Sequence, residues 1–574
     1  MKKLYPLYYN KLSPCYSRDH LGNHGCYARN DIPRFLYLTQ LGRFEEAFYV
    51  LKETNPFSSG CGRFCDHPCE TACNRTKYDE SVDIKAMERF ISDWGYKNNL
   101  EPKKIADTNG KKIAVIGSGP AGLSAAYFLA RKGYRTDVYE REDRPGGLLT
   151  QGIPAFRYPS DVFENELAFI KKAGVNIKCG ENINKDKFVN LAREYDSVIV
   201  STGAHKPVEM NIEGENLEGV ESAIPFLRKI NFGNADSLNI QEGERICVIG
   251  GGYSAIDVAR CSTRLGASPT VVYRRTEEEM TAHAGEVEDT IKEDVEYKFL
   301  RQPLKIVKSK NGSLTVHVQV MKLGPVDESG RAKPFAVPGL VEKLEFDRVV
   351  LAIGDRPDLY FVGESFTVDF PRMICPDLQE DDRDKIFITG DATMGNVESV
   401  GMVVRVVGLA QDTAKAVCDF FGEDFGQEAR RDVAYYSTLN TKYFEKTGRL
   451  VEDELPVADR EGNFDEIVQT VDEDMAQLMA GRCFNCGICI QCDWCYHYSD
   501  GSLMKLKKDW TPEKDEHFYE FLEDKLGDAT YKSVEACPRS ALTVTREGSK
   551  LDEFRKKQYI QACELFDGGY DHDH

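Results

Sequence analysis

Two glycine-rich turns, each set between a strand-sized apolar run and a helical pattern, constrain this chain more than anything else in it. The first lies in IAVIGSGPAGLSAAYFLARKGYRTDVYE (113–140), where the strand runs into Gly117-x-Gly119-x-x-Gly122. Gly117 permits the tight turn, Gly119 lets backbone approach a pyrophosphate, and Gly122 lets the helix pack on the strand. Unpaired N–H groups at the helix start, around Ala121, face the phosphates. Glu140 ends the second strand about 20 residues on, where a carboxylate accepts a ribose hydroxyl. A lone pattern of this kind is weak, but strand, turn, helix, strand and acid together outweigh a merely structural loop.

The second turn lies in RICVIGGGYSAIDVARCSTRLGASPTVVYRRT (245–276), with Gly250-x-Gly252-x-x-Ala255 and Ser254 at the helix start. Its second strand ends in Arg274 and Arg275 instead of an acid. A carboxylate there would repel a 2′-phosphate, whereas arginine pairs with it in two-pronged fashion. The pattern favours NADP over NAD; the alternative is a solvated basic strand end. KIFITGDA (385–392) adds Gly390 and Asp391, the latter expected beside the ribityl chain or pyrophosphate of a flavin dinucleotide. Gly203 and Gly354, ending the strands SVIVSTG (197–203) and RVVLAIG (348–354), are counted with the cofactor contacts. Hydride transfer needs a nicotinamide facing a ring that accepts two electrons, so FAD is expected in the first fold and NADP(H) in the second.

Strands alternate with helices over 112–430, which implies parallel sheets. The expected architecture is multidomain. A helical iron–sulfur domain (1–105) precedes two Rossmann-like α/β domains, FAD-binding at 112–238 and 352–430, with the NAD(P)H-binding domain (239–351) inserted. A polar linker (431–480) leads to a ferredoxin-like α+β iron–sulfur domain (481–574) with a charged tail. Within 1–105, residues 32–53 show helical periodicity, and Asp31 with Pro33 forms a reasonable helix start.

Cysteine supplies the exit for electrons. Eighteen cysteines in 574 residues are too sparse for a disulfide scaffold, but four fall within 61–73 and five within 483–495. In CGRFCDHPCETAC, Pro68 breaks a continuous helix, so a wrapped loop presents Cys61, Cys65 and Cys69, with Cys26 as fourth ligand. Cys15 and Cys73 are left over, too few for a second all-cysteine cluster; zinc, held by four cysteines or with His67, is the rival reading. CFNCGICIQCDWC is compared with the ferredoxin run C-x₂-C-x₂-C-x₃-C-P. Aligned on Cys489, Cys492 and Cys495, its fourth position falls on Ser499, while EACPRSAL (535–542) keeps Cys537 with no triplet before it. One cluster on Cys489, Cys492, Cys495 and Cys537 is expected, with Cys483 and Cys486 either an alternative set or simple thiols. Two 4Fe–4S clusters are expected in all. Cys247 and Cys261 form no CxxC pair and read as buried thiols, so no disulfide relay is visible.

Net charge is −20, which argues against nucleic acid. Residues 421–574 hold 19 basic and 33 acidic residues, a net of −14. That acidity suits a basic docking patch or is simply solvated. No run approaches the ~18 apolar residues of a membrane helix, and MKKLYPLYYN lacks an apolar core, so a secretory signal is not expected and a cytoplasmic location is.

With these pieces the chain resembles the small subunit of glutamate synthase and related NADPH:acceptor iron–sulfur flavoproteins, over nearly its whole length. The likeness rests on NPFSSGCGRFCDHPCETACNR (55–75), IGSGPAGLSAAYFLA (116–130), PGGLLTQGIPAFRYP (145–159), VIGGGYSAIDVAR (248–260) and YRRTEEEM (273–280); RCFNCGICIQCDWC (482–495) is similar to the ferredoxin-type extension of a subset. The resemblance implies FAD in the first fold, with Gly146, Gly147 and Leu148 near the flavin, NADPH in the second, and cubane clusters in the N-terminal domain. It implies a partner subunit or ferredoxin within a hetero-oligomeric complex. The sequence departs from the glutamate synthase subunit in lacking two of the eight N-terminal cysteines expected for two clusters, in its added C-terminal domain, and in Tyr253, where Asn or Asp is common. The expected function is an NAD(P)H-dependent FAD/iron–sulfur oxidoreductase subunit passing electrons between NADPH and a partner; the alternatives are glutamate synthase itself, a flavin-based bifurcating subunit, and a non-catalytic redox sensor. No general acid or base is assigned.

Overall fold

The computed structural model describes residues 8–9, 11–16, 25–103, 106–310, 312–326, 330–363, 365–397, 401–425, 433–490, 492–505, 519–522, 525, 532–534 and 536–543. Residues 544–574, the end of the expected 481–574 domain with its charged tail, lie outside them, as do residues 426–432. The chain divides into two compact units, Met1–Glu101 with Asp424–Glu452 and Thr470–His574, and Pro102–Glu423 with Asp453–Gln469.

The second unit carries the nucleotide folds. A seven-stranded sheet runs in the order Thr367–Asp369, Arg372–Ile374, Ile386–Ile388, Ser197–Val200, Lys112–Ile116, Arg135–Tyr139, Val175–Lys178. The last five strands are parallel. Lys112–Ile116 buries all but its first residue, as a strand covered on both faces must. Helix Pro120–Arg131, opened by proline in its first turn, packs against Val403–Phe420. A five-stranded parallel sheet, Glu296–Lys298, Ser268–Val272, Arg245–Ile249, Arg348–Leu351 and Val220–Ser222, lies between the strands Ser197–Val200 and Ile386–Ile388 in sequence.

The inserted domain therefore starts earlier than residue 239. Val220–Ser222 pairs with Arg348–Leu351, and Phe226, Leu227 and Ile230 of helix Ala223–Asn231 pack into the same core as Ile246 and Val248. The stretch GVESAIPFLRK lacks the long apolar run that marks the other strands. The chain leaves at Lys206–Pro207 and returns at Asp355–Arg356, and these two crossings pair antiparallel. An antiparallel sheet not foreseen from the sequence, Arg301–Lys308, Leu314–Val326 and Ala332–Phe346, covers the face bearing Cys247 and Ile249 with Ile306, Leu314, Val316 and Val318.

In the first unit the 32–53 pattern forms two helices, Ile32–Gln40 and Phe44–Thr54, the first capped by Asp31 accepting from Arg34 N. Ser58–Phe64, Pro68–Thr71 and Ile84–Lys97 follow, and Phe44 packs edge-on against Phe90 and Trp94. The two ends of the chain, expected as separate domains, share this unit. Tyr8–Tyr9 pairs antiparallel with Leu542–Thr543, and Leu12 bridges to Val433. The described part of the 431–480 stretch is largely exposed over 441–459 and is divided between the two units. Its 453–469 portion belongs to the nucleotide unit, where Ile467 is buried and its N–H donates to Phe156 O at 3.1 Å. Among the described residues no helix is long and apolar enough to cross a membrane.

Candidate functional site

The first turn is walled by its own sheet. Gly117 has φ +102°, and a Cβ there would stand 2.5 Å from Ser201 O, so only glycine fits. A Cβ on Gly119 would meet nothing within 4 Å, leaving an open cradle before the helix Pro120–Arg131. Glu140 is buried, and its Oε2 accepts from Ser118 N (3.0 Å) and Ser118 Oγ (2.5 Å), which pins the turn. Gly146 N donates to Ser118 O at 3.1 Å, and Gly147 backs onto Gly119 just before the short helix Leu148–Gln151. Gly390 packs against Ala121, bringing the turn Gly390–Thr393 to the same helix start. Asp391 accepts from Gly401 N at 2.8 Å, and burial pushes its carboxyl above the usual range. Thr202, which sequence reasoning passed over, lies beside Gly117 with its Oγ1 buried and unpartnered among the described residues. An open cradle, a helix start and an orphaned hydroxyl fit a dinucleotide pyrophosphate. Only its position beside the glycine turn could have flagged Thr202.

The second turn repeats the arrangement. A Cβ on Gly250 would stand 2.2 Å from Ala352 O, Ala255 is fully buried, and Gly252 and Ser254 are partly open at the start of helix Tyr253–Arg264. The two arginines divide. Arg274 is exposed, whereas Arg275 is buried and its Nε donates to Ala332 O at 2.9 Å. Arg274 is thus the side chain available to a 2′-phosphate, and Arg275 ties the strand end to the antiparallel sheet. Tyr253 OH accepts from His283 N at 3.2 Å and carries the Arg157 guanidinium over its ring. Gly203 and Gly354, both at positive φ, flank the paired crossings between the two sheets. Cys247 and Cys261 are fully buried in different cores.

In the first unit, Cys61 lies in helix Ser58–Phe64 and Cys65 caps it, its N–H donating to Cys61 O at 3.2 Å. Pro68 opens the next helical turn, which carries Cys69. Burial lifts the Cys69 thiol well above its ordinary value, and Cys26 and Cys65 add to the rise, so these expected ligands lie within electrostatic reach of one another. His67 turns elsewhere, with Nδ1 2.7 Å from Cys65 O and Nε2 3.6 Å from Glu88 Oε2. At the other end of the chain, Cys489, Cys492, Cys495 and Cys537 line one pocket with Ile488, Ile490 and Leu542. Burial raises the Cys495 thiol, and Cys537, Cys489 and Cys492 raise it further. Ala541 N donates to Cys537 Sγ at 3.3 Å. Ser499, at the vacated ferredoxin position, is buried and donates to Tyr496 O at 2.8 Å. Cys483 and Cys486 stand apart from this pocket, beside Cys73. Among the described residues no three Cys, His, Asp or Glu side chains close on one point as a single-ion site requires. Four cysteine thiols lining one pocket are the donor type of an iron–sulfur cluster.

A family model for pyridine nucleotide-disulphide oxidoreductases matches residues 111–410, and one for dihydropyrimidine dehydrogenase domain II, 4Fe-4S cluster, matches residues 12–100. The NADP(+)-dependent formate dehydrogenase subunit beta of Moorella thermoacetica is 34% identical over 520 residues, 83% of this chain and 70% of that one. The NADPH-Fe(3+) oxidoreductase subunit beta of Geobacter sulfurreducens is 36% identical over 369 residues, 63% of this chain and 53% of that one. The glutamate synthase [NADPH] small chain of Escherichia coli K12 is 34% identical over 415 residues, 69% of this chain and 87% of that one.

Proposed function

We propose, from the premise that this chain belongs to the pyridine nucleotide-disulphide oxidoreductase family as an NADPH-dependent oxidoreductase with FAD, NADP(H) and 4Fe–4S cofactors, that it carries electrons between NADPH and a partner ferredoxin or oxidoreductase subunit. Bound FAD supplies the conversion between a hydride pair and single electrons. The chain's own groups hold and aim. Gly119 and the helix start behind it seat the flavin pyrophosphate, with Glu140 bracing the turn. Gly250, Gly252, Ser254 and Ala255 seat NADPH, and Arg274 pairs with its 2′-phosphate. Cys26, Cys61, Cys65 and Cys69 hold one cluster. Cys489, Cys492, Cys495 and Cys537 hold a second in a ferredoxin-like C-terminal portion. The partner is a protein because the relatives named above are subunits, and this reading puts the chain in the cytoplasm, where thiols stay reduced.

The observation that supports this reading is one pocket lined by Cys489, Cys492, Cys495 and Cys537, which brings thiols together from two separate stretches of sequence. Anaerobic mixing with NADPH tests it. Flavin absorbance should bleach first, reduced-cluster EPR signals should follow, and NADH should act more slowly. Bleaching with no cluster signal would overturn the exit route.

A further inference from the structure

Ten of the eighteen cysteines are used by neither expected cluster, and among the described residues of the first unit these are Cys15, Cys73, Cys483 and Cys486, two from each end of the chain. We propose that Cys15, Cys73, Cys483 and Cys486 form a third four-thiolate site, holding a further 4Fe–4S cluster whose ligands come equally from the N-terminal and C-terminal segments.

Cys15, Cys483 and Cys486 are buried, and Cys73 is partly so. The thiols lie within electrostatic reach of one another, Cys73, Cys483 and Cys486 of Cys15, and Cys73 of both Cys483 and Cys486. Three features make this a built site. First, the segments are stitched together. Lys11 N donates to Gly487 O at 2.8 Å, and Gly487, at φ +78°, could carry no side chain, because its Cβ would stand 2.4 Å from Lys11 O. Arg75 lies 5.1 Å over the fully buried Phe484 ring and donates to the Arg482 carbonyl. Second, the sulfurs are supplied with donors. Asn74 Nδ2 lies 3.3 Å from Cys486 Sγ and 2.7 Å from Ala434 O, and Asn485 N lies 3.3 Å from Cys483 Sγ. Ser13 Oγ is 3.3 Å from Cys15 Sγ. N–H and O–H groups aimed at sulfur stabilise thiolate and tune a cluster's potential. Third, Asn485 adopts φ +46°, so the stretch Cys483-Phe484-Asn485-Cys486 turns back on itself as a two-thiol knuckle.

The site also explains two departures together. The N-terminal segment lacks two cysteines for a second cluster, and the ferredoxin-like run has two more than one cluster needs. Each surplus meets the other's deficit. The location fits a relay. Cys26 N of the first set donates to Cys15 O at 3.0 Å, and Arg539, which lines the pocket of Cys489, Cys492, Cys495 and Cys537, donates to Asn485 Oδ1 at 3.1 Å, between Cys483 and Cys486. A cluster here would take one electron from one neighbour and pass one to the other, with no bond made or broken in the protein.

The inference rests on the proposed function only in sharing its cluster type, and iron counting separates the two. Full-length protein purified and reconstituted without oxygen should hold about twelve irons per chain, four for each of three cubanes. The double variant Cys483→Ser/Cys486→Ser should hold about eight and keep FAD. Cys15→Ser/Cys73→Ser, altered at the opposite end, should lose the same four irons and the same EPR signal. About eight irons in the unaltered chain would overturn the third site while leaving the two-cluster reading intact. One zinc lost with the C483S/C486S pair would overturn it as a redox site. Should either variant lose all its iron through misfolding, the count and the number of distinct reduced-cluster signals in the unaltered chain decide.

Discussion

Gly117 and Gly250 are each walled by a carbonyl of the adjacent strand in their own sheet, Ser201 O and Ala352 O. In the cysteine-bearing unit the walls come from far away. Lys11 meets Gly487, Arg75 meets Arg482, and Tyr8–Tyr9 pairs with Leu542–Thr543. One unit thus builds its sites from consecutive strand, turn and helix, and the other builds them by returning the chain to its start. A site of the first kind fails when one local residue changes. A site of the second kind fails when a stitch between distant segments is cut, even where no ligand is touched.

Arg482→Ala should give the largest effect. Arg482 is 4% exposed on its side chain and donates to Ser81 O (2.9 Å), Glu80 O (3.0 Å), Thr447 O (2.9 Å) and Asp83 Oδ2 (3.2 Å). Burial already lifts Asp83 above the usual carboxylate range, against the pull of Arg449 and Arg482. Removing one partner of such a buried set costs about 3–5 kcal/mol. Iron content and thermal unfolding should report the loss, with FAD retained. Simultaneous loss of FAD would show that the two units do not stand independently.

Glu293→Gln applies the same cut to the nucleotide unit. Glu293 Oε1 and Oε2 accept from Arg260 and Arg264, and Oε1 also accepts from Arg460 at 3.0 Å, drawing the 453–469 segment in. Burial works against the charge, yet Arg264 and Arg260 hold the carboxyl down at about 2. The expected cost is about 3 kcal/mol, read as a lowered Tm for the flavin-bound transition. A depressed carboxylate stabilises the fold fully above the ordinary glutamate value. Its contribution is lost as pH falls from there towards about 2. The variant's deficit should therefore shrink on acidification below about pH 4; a deficit constant down to pH 2 would break the assignment.

Arg274→Ala should raise KM for NADPH about 10- to 100-fold and leave NADH nearly unchanged, since a two-pronged arginine–phosphate pair is worth a few kcal/mol at most. Arg275→Ala should act through stability, because its Nε serves Ala332 O. The reverse outcome would exchange the two roles.

The local unit was the legible one. The strand–turn–helix order, the buried strands and the insertion of one sheet within the other all follow from patterns a few residues long. Two things there escaped. Val220–Ser222 is too short and polar to announce itself, and the sheet over 301–346 is long but half exposed, with a weak alternation. The division between Arg274 and Arg275 needed the position of Ala332. In the cysteine unit the ligand types and two sets of spacings could be read, but the place of Cys483 and Cys486 could not. Spacing reports neighbours along the chain, whereas in space Asn74, next to Cys73, reaches Cys486 Sγ at 3.3 Å and Lys11 N reaches Gly487 O at 2.8 Å.

The smallest effect should come from a contact that resembles a stitch but is local and wet. Lys505 Nζ lies 2.7 Å from Asp493 Oδ2, with side chains 44% and 31% exposed. Asp493 borders the pocket of Cys489, Cys492, Cys495 and Cys537, and Lys505 ends the strand Leu503–Lys505, so the pair closes a loop of only a dozen residues. An exposed pair of this kind is worth under about 1 kcal/mol and is screened by salt. Lys505→Ala should therefore leave iron content unchanged and move Tm by about a degree or two, less in high salt. A variant that shed iron would show that the pocket depends on charge at its rim. Local sequence would then govern at least one cysteine site, and the contrast between the two units would weaken where it is now sharpest.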